Sequence, residues 1–139
     1  SMSEIITDKL SGRGVAKTIT VTVGATATQS LGKGLAKVYS LWDMGDLSGT
    51  GGTTGIDTSL NVSSMDDDGA GDFGINFTVT FETINYVAVS ATGNGIRRVL
   101  TRSPDGTATT TSMDGLIRND SNTNADAVSC SVAIFGDVA

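Results

Sequence analysis

The stretch SLNVSSMDDDGAGDFGINFTVTF, residues 59–81, decides the fold class. In its second half, every other position carries a large apolar side chain: Phe73, Ile75, Phe77, Val79 and Phe81. Before the acidic, glycine-rich middle, we expect Leu60, Val62 and Ser64 to point to one side. Alternation with a period of two residues is typical of a β-strand with one buried face. The stretch therefore predicts a β-hairpin whose turn spans residues 66–71.

The same pattern predicts further strands along the chain. They are expected near residues 15–23, 35–44, 86–92, 96–102, 107–111, 116–118 and 127–135. Glycine-containing segments at residues 93–95 and 103–106 are typical of turns, and residues 45–59 predict an exposed glycine-rich loop. About eight or nine short strands at regular spacing predict an all-β fold, an antiparallel, jelly-roll-like β-sandwich.

The length of 139 residues fits a single domain, since domains of about 100–150 residues are the commonest. We expect residues 1–14 to form an extended N-terminal arm and residues 15–139 to form one sandwich domain. Ser1 before Met2 is typical of a residue left after removal of an expression tag. The segment 35–44 has apolar side chains on both faces, which favours a central strand or a contact between subunits.

The charge of the chain argues against several classes of partner. A net charge of −6 disfavours nucleic acid, because phosphate binding needs clustered Lys and Arg. The short basic run of Arg97, Arg98 and Arg102 is interpreted as a solvated strand face. No apolar run is long enough to cross a membrane and no signal peptide is recognised, so we expect synthesis in a reducing cytoplasm without membrane insertion.

Catalytic chemistry is poorly supported by the residue types present. The sequence contains no His, the usual general base and the commonest metal ligand. Carboxylate pairs drawn from Asp66, Asp72 and Glu82 would suit glycoside hydrolysis, but no aromatic-lined groove accompanies them. We therefore expect no enzyme activity.

The single cysteine and the polar-tipped aromatic residues are expected to pack in the interior or at an interface. Cys130 alternates with apolar neighbours and is interpreted as a small buried hydrophobe rather than a reactive thiol. Its expected neighbours on one face are Val128, Val132 and Ile134. An aromatic platform for a sugar would have to come from Trp42, Tyr39 and Tyr86. Each of them lies in an alternating segment, which favours packing in the core or at an interface.

The acidic cluster Asp66, Asp67, Asp68 and Asp72 is the sharpest candidate site. Carboxylates that lie close together repel one another, and a hard cation such as Ca²⁺ relieves the repulsion. The competing interpretation is a solvated hairpin turn, in which Asp and Gly accept tight backbone angles. The turn lacks the terminal Glu of an EF-hand loop and offers few ligands, so the solvated turn is favoured. Neither a metal nor another cofactor is predicted.

Four segments, in their order along the chain, resemble the small tail-fibre and receptor-binding-type structural proteins of tailed bacteriophages. They are SEIITDKLSGR (3–13), LGKGLAKVYSLWDM (31–44), the hairpin from Asn61 to Thr78, and CSVAIFGDVA (130–139). The chain departs from the family pattern at residues 66–68, where three aspartates replace the usual Asn-Gly type of turn.

The resemblance implies a non-enzymatic virion structural protein, a component of the tail fibre or its tip, assembled as a homotrimer. The implied partners are copies of the chain, other virion proteins and, for attachment, a bacterial surface glycan or protein. Two alternatives remain: a capsid decoration or head-fibre protein, and a glycan-binding or glycan-degrading tail protein.

Overall fold

A computed structural model describes residues 20–23, 27–30, 34–93, 97–100 and 108–139 of the chain. It divides into two compact units, Ser1–Leu35 and Ala36–Ala139. The described part of the first unit is an antiparallel hairpin of β1 (Thr20–Val23) and β2 (Ala27–Ser30). The arm predicted over residues 1–14 lies outside the described residues.

Two four-stranded antiparallel sheets build the second unit. The first sheet has the order β4-β3-β10-β7 and consists of β3 (Val38–Trp42), β4 (Ile56–Leu60), β7 (Val87–Thr92) and β10 (Cys130–Phe135). The second sheet has the order β5-β6-β9-β8 and consists of β5 (Val62–Gly69), β6 (Asp72–Phe77), β8 (Arg97–Leu100) and β9 (Ser112–Asn119). The predicted all-β antiparallel sandwich is confirmed, with ten strands in the described part of the chain.

The chain changes sheets most abruptly at Asn61, the single residue between β4 and β5. Asn61 has a φ of 59°, a left-handed conformation that Asn accepts more readily than most residues. Leu60 ends a strand of the first sheet and Val62 begins a strand of the second. The expectation that Leu60 and Val62 lie on one side of one strand is therefore wrong.

The hairpin predicted within residues 59–81 is confirmed as β5–β6, but its turn is shorter than expected. The three successive aspartates lie within β5, so the turn consists of Ala70 and Gly71. Beyond β6 the alternation fails, because Val79 is 47% exposed whereas Phe81 is buried.

A β-bulge between Val62 and Ser64 reverses the expected sidedness of β5. Ser64 accepts a hydrogen bond from the Asn76 side chain at 3.1 Å, and Met65 is buried in its place. The bulge explains why the sequence pattern assigned Ser64 to the wrong face.

The core lies between the facing surfaces of the two sheets. Trp42 from β3 and Phe73 from β6 meet with their ring centroids 5.0 Å apart. Phe73 lies directly over Gly115 of β9, where any Cβ atom would collide with the ring. A second aromatic group packs beside β7, formed by Phe77, Phe81 and Tyr86. Gly115 therefore serves the core by leaving room for an aromatic ring.

Candidate functional site

Three of the acidic residues, Asp66, Asp72 and Asp114, lie on the outer face of the second sheet, since each directly adjoins a buried residue of its strand. Strand register aligns Asp66 of β5 and Asp114 of β9 on either side of Gly74 of β6. An ideal Cβ built on Gly74 would lie 3.0 Å from Asp66 Oδ2 and 3.5 Å from Asp114 Oδ1. Asp114 was not a sequence candidate, because only the long-range pairing of β6 with β9 brings it near the hairpin.

Asp66 connects β5 to the glycine-rich segment that precedes β4. Its Oδ1 accepts a hydrogen bond from the Gly51 amide at 2.5 Å, and its Oδ2 accepts one from Asn76 Nδ2 at 3.0 Å. Backbone bonds reinforce the connection, since Gly52 and Met65 exchange two of them, at 3.0 and 2.8 Å. The predicted loop over residues 45–59 is therefore paired with β5 at Gly52, and its last four residues belong to β4.

The other two aspartates of the run differ in role. Asp67 Oδ1 accepts a hydrogen bond from the Gly69 amide at 3.1 Å, so it stabilises the end of β5. Asp68 is exposed, and desolvation followed by the charges of Asp66, Asp72 and Asp67 raises the pKa of its carboxyl.

Asp72, at the start of β6, shares the acidic environment of the outer face. Desolvation raises the pKa of the Asp72 carboxyl, and the charge of Asp114 raises it further, against a hydrogen bond from the Phe73 backbone that lowers it. Repulsion between these carboxylates is the physical argument for a bound cation, the less favoured of the two interpretations of this turn. Within the ranges that the structure describes, no group of three or more His, Cys, Asp or Glu side chains is arranged to hold a metal ion.

Glu82, the third carboxylate considered for hydrolysis, is exposed and lies beyond β6. Its backbone amide donates a hydrogen bond to the Asp137 carbonyl at 2.8 Å, which attaches this segment to the C-terminal residues. Asp66, in contrast, commits both carboxylate oxygens to hydrogen bonds within the sheet and its neighbouring loop.

Two of the three polar-tipped aromatic residues are buried. Trp42 is fully buried, and its Nε1 has no hydrogen-bond partner within the described structure. Tyr86 is buried too, with its hydroxyl donating to the Ser112 carbonyl at 3.0 Å. Tyr39 is 41% exposed on the outer face of the first sheet, so it alone of the three is accessible to a partner.

Cys130 is fully buried, as expected for a small hydrophobe. Its Sγ donates to the Ala127 carbonyl at 3.2 Å, and desolvation, with smaller contributions from Asp43 and Asp126, raises the pKa of the thiol to about 12. Val132 and Ile134 share its buried face, but Val128 is exposed. The prediction for Val128 fails because Ser129, with a φ of 54°, interrupts the alternation.

The outer face of the first sheet is mostly apolar, with two charged residues beside its apolar positions: exposed Asp57 in β4, and Lys37, which precedes β3 and follows the alternation of Tyr39 and Leu41. Cross-strand register aligns Leu60, Tyr39, Ala133 and Val89 in one row across all four strands. We call the ten uncharged residues of this surface the uncharged face. It comprises Tyr39, Leu41, Thr58, Leu60, Val87, Val89, Ala91, Ser131, Ala133 and Phe135. The prediction that the strand within residues 35–44 has apolar groups on both sides is confirmed by buried Trp42 and exposed Tyr39.

A shallow groove of about 420 Å³ adjoins the uncharged face at the β4–β5 corner. Its apolar lining comes from Leu60, Val79 and Val138, and Lys37 supplies one cationic group at the rim. Leu60 belongs to both surfaces, so the groove extends the uncharged face toward the C-terminal residues.

The basic run lies outside what the structure describes in side-chain detail. Arg97 and Arg98 belong to β8, whose backbone pairing with β9 is defined, and Arg102 falls in an undescribed segment.

No helix among the described residues is long and apolar enough to span a membrane. Comparison with protein-family models, curated proteins and solved structures found no match to the chain.

Proposed function

We propose that this chain is a non-enzymatic structural protein of a bacteriophage virion, a component of the tail fibre or its tip that assembles as a homotrimer. The observation that carries the proposal is the uncharged face. Val87 and Val89, on this face, are 63% and 61% exposed. An apolar surface that spans a whole sheet is typical of a protein whose work is to contact other proteins.

The distribution of polar groups supports a structural role. Asp66 and Asp67 use their carboxylates to bond backbone amides, and Tyr86 uses its hydroxyl to bond a backbone carbonyl. These side chains, which were candidates for chemistry, stabilise the fold instead. The similarity of four ordered segments to tail-fibre proteins gives the virion assignment its second support.

Within this proposal, the partners are copies of the chain and other virion proteins. Attachment to a bacterial surface glycan or protein would fall to exposed loops, which commonly carry binding specificity. The glycine-rich segment around Gly49 and Gly51 is such a loop, held in place by β5.

Mass spectrometry of purified phage particles tests the proposal. Particles released from a bacterial strain that carries the gene are banded on a density gradient, and peptides of the chain are quantified in each fraction. We expect the peptides to follow the major capsid protein through the gradient. Recovery of the chain only in the soluble fractions would refute the virion assignment.

A further inference from the structure

We infer that the Asp68–Gly69 peptide, at the end of β5, is a site of spontaneous isoaspartate formation. In this reaction the backbone nitrogen of the glycine bonds to Cγ of the preceding aspartate, and water leaves to give a succinimide ring. Water then opens the ring, and opening at the backbone carbonyl of the aspartate leaves a main chain that runs through Cγ. The inference concerns a modification of the chain itself and does not depend on the proposed virion function.

The sequence offers an internal comparison for this chemistry. Glycine after aspartate favours ring closure, because no side chain obstructs the attacking nitrogen and the backbone is conformationally free. Three such pairs occur, at residues 68–69, 105–106 and 114–115. The pair at 105–106 lies outside the described residues. The other two share the same residue types, so a difference in their reactivity in the folded protein reports on their surroundings.

Asp68 lies where the pairing of the β5–β6 hairpin is interrupted. β5 is an edge strand of its sheet, and the register passes from the Asp67–Phe73 pair directly to the Gly69–Asp72 pair. Asp68 therefore occupies a β-bulge and has no cross-strand partner among the described residues. Ring closure requires rotation of the Asp68 backbone and side chain, which costs less at an unpaired, exposed strand end than within a paired ladder.

The surroundings of Gly69 leave room for the ring. Gly69 is exposed and has a φ of 127°, a conformation that glycine accepts readily. Apart from its chain neighbours, no atom of the described structure lies within 4 Å of an ideal Cβ built on this residue. The five-membered ring can therefore form without displacing a neighbouring group.

Asp67 is placed to assist the step as a general base. Its Oδ1 accepts a hydrogen bond from the Gly69 amide at 3.1 Å, so it contacts the proton that must leave when the nitrogen attacks. As the nitrogen bonds to Cγ of Asp68, this proton passes to Asp67 and then departs with the Asp68 hydroxyl as water. Desolvation and, after it, the charges of nearby carboxylates raise the pKa of Asp68, which favours the protonated carboxyl that supplies this hydroxyl.

Asp114 and Gly115 present the opposite surroundings. β9 lies between β6 and β8, and Asp114 and Gly115 pair with Gly74 and Phe73 of β6. Gly115 is buried against the Phe73 ring. Rotation of this peptide would break the pairing of a central strand and displace a core aromatic ring. We therefore expect the folded structure to protect the pair at 114–115.

Residue-level mass spectrometry of the aged full chain tests the inference. The folded protein and a sample unfolded in guanidinium chloride are incubated side by side, and electron-transfer fragmentation of their peptides distinguishes isoaspartate from aspartate at each position. In the folded protein, we expect isoaspartate at position 68 to accumulate at least about tenfold faster than at position 114. In the unfolded protein, we expect similar rates at the two positions.

Two results would overturn the inference. The first is the absence of isoaspartate at position 68, or its accumulation at the same rate as at position 114, in the folded protein. The second is a tenfold difference that persists in guanidinium chloride, because the residues next to each pair and not the fold would then set the rates. This comparison uses the wild-type chain, so it does not depend on the folding of a variant.

A matched pair of substitutions tests the base. Asp67→Asn keeps an oxygen that can accept from the Gly69 amide but removes the basic group, so we expect isoaspartate formation at position 68 to slow at least about tenfold. Asp72→Asn is the control, because it removes another carboxylate that acts on Asp68 but does not hold the Gly69 amide. We expect its rate to stay within about twofold of the wild type. Equal slowing by both variants, or by neither, would overturn the role of Asp67. Near-ultraviolet circular dichroism, which reports on buried Trp42, verifies that both variants are folded.

Discussion

The Asn61 side chain forms hydrogen bonds with both the backbone amide and the backbone carbonyl of Val79. Its Nδ2 donates to the Val79 carbonyl at 3.0 Å, and its Oδ1 accepts from the Val79 amide at 2.5 Å. The side chain thus takes the place of a strand partner for a residue that lies beyond the end of β6. This contact fixes the corner at which the chain passes from the first sheet to the second, and both residues line the groove beside the uncharged face.

Two substitutions of Asn61 should separate the contribution of its side-chain hydrogen bonds from that of its left-handed backbone conformation. Asn61→Gly keeps the positive φ accessible but removes the side-chain bonds, so we expect a loss of about 1–2 kcal/mol in the free energy of unfolding. Asn61→Ala also imposes a left-handed conformation on a residue with a Cβ, which should cost about 1 kcal/mol more. Urea denaturation of both variants measures the difference. Equal stability of Asn61→Gly and the wild type would show that the bonds to Val79 contribute nothing.

Gly71, in the turn of the β5–β6 hairpin, should be the least replaceable of the positive-φ glycines. A Cβ there would press against the Ile117 carbonyl and the Ala125 amide, whereas Gly49 has the same φ of 67° and nothing within 4 Å of the position. We expect Gly49→Ala to cost about 1 kcal/mol for its backbone conformation alone. Gly71→Ala should cost at least about 3 kcal/mol, because backbone atoms must move. Thermal denaturation of the pair checks this, and similar melting temperatures would contradict the crowding at Gly71.

Asp66 is expected to hold the glycine-rich segment on β5. Asp66→Ala removes the acceptor for the Gly51 amide, so that amide should lose protection from hydrogen exchange and stability should fall by about 1 kcal/mol. Asp68→Ala, two residues away, is the control. Desolvation and, after it, the charges of neighbouring carboxylates raise the pKa of Asp68, so its removal relieves repulsion and should leave stability equal or slightly higher.

The same pair of variants tests the cation interpretation of the aspartate run. We expect millimolar Ca²⁺ to leave the melting temperatures of the wild type and both variants unchanged. A rise in the wild type that Asp66→Ala abolishes would instead assign a calcium-binding role to this carboxylate.

Cys130 should make the protein sensitive to alkaline pH. Its thiol has a pKa of about 12 in the folded state, against an ordinary value of 9.0, so the folded state retains a proton that the unfolded state loses. The thiol therefore does not reduce the free energy of unfolding below pH 9.0. As the pH rises from 9.0 toward 12, the unfolded state releases the proton and the free energy of unfolding falls. Over this window the wild type should lose up to about 1.4 kcal/mol per pH unit more than Cys130→Ala. Parallel pH profiles for the two proteins would show that the thiol is not desolvated in solution.

Local patterns in the sequence were enough to predict the sandwich, but not its corners. Alternating Phe73, Ile75 and Phe77 identified β6 because their burial depends on the pleat of a single strand. The corner at Asn61 and the bulge after Val62 interrupt the two-residue alternation. Each does so through a local backbone conformation that many sequences could adopt, so the residue types alone do not indicate it. Local sequence therefore placed Leu60 and Ser64 on the wrong side.

The candidate site was less predictable than the fold because its geometry depends on contacts between distant segments. The acidic run was recognisable from sequence, but the approach of Asp114 depends on the register between β6 and β9. The bond from Gly51 to Asp66 joins residues fifteen positions apart across a glycine-rich segment without periodicity. The uncharged face was partly foreseeable in β3, and it became a continuous surface only once β7, β10 and β4 were ordered around that strand.

Immunogold electron microscopy of intact phage particles tests the central claim most directly. Antibodies raised against the purified chain are applied to density-banded particles, with particles from a gene-deletion strain as the control. A tail-fibre or fibre-tip protein predicts gold at the end of the tail and none on the deletion particles. Particles that carry no gold anywhere, while the chain stays in the soluble lysate, would contradict the assignment, and gold confined to the capsid would contradict its placement on the tail.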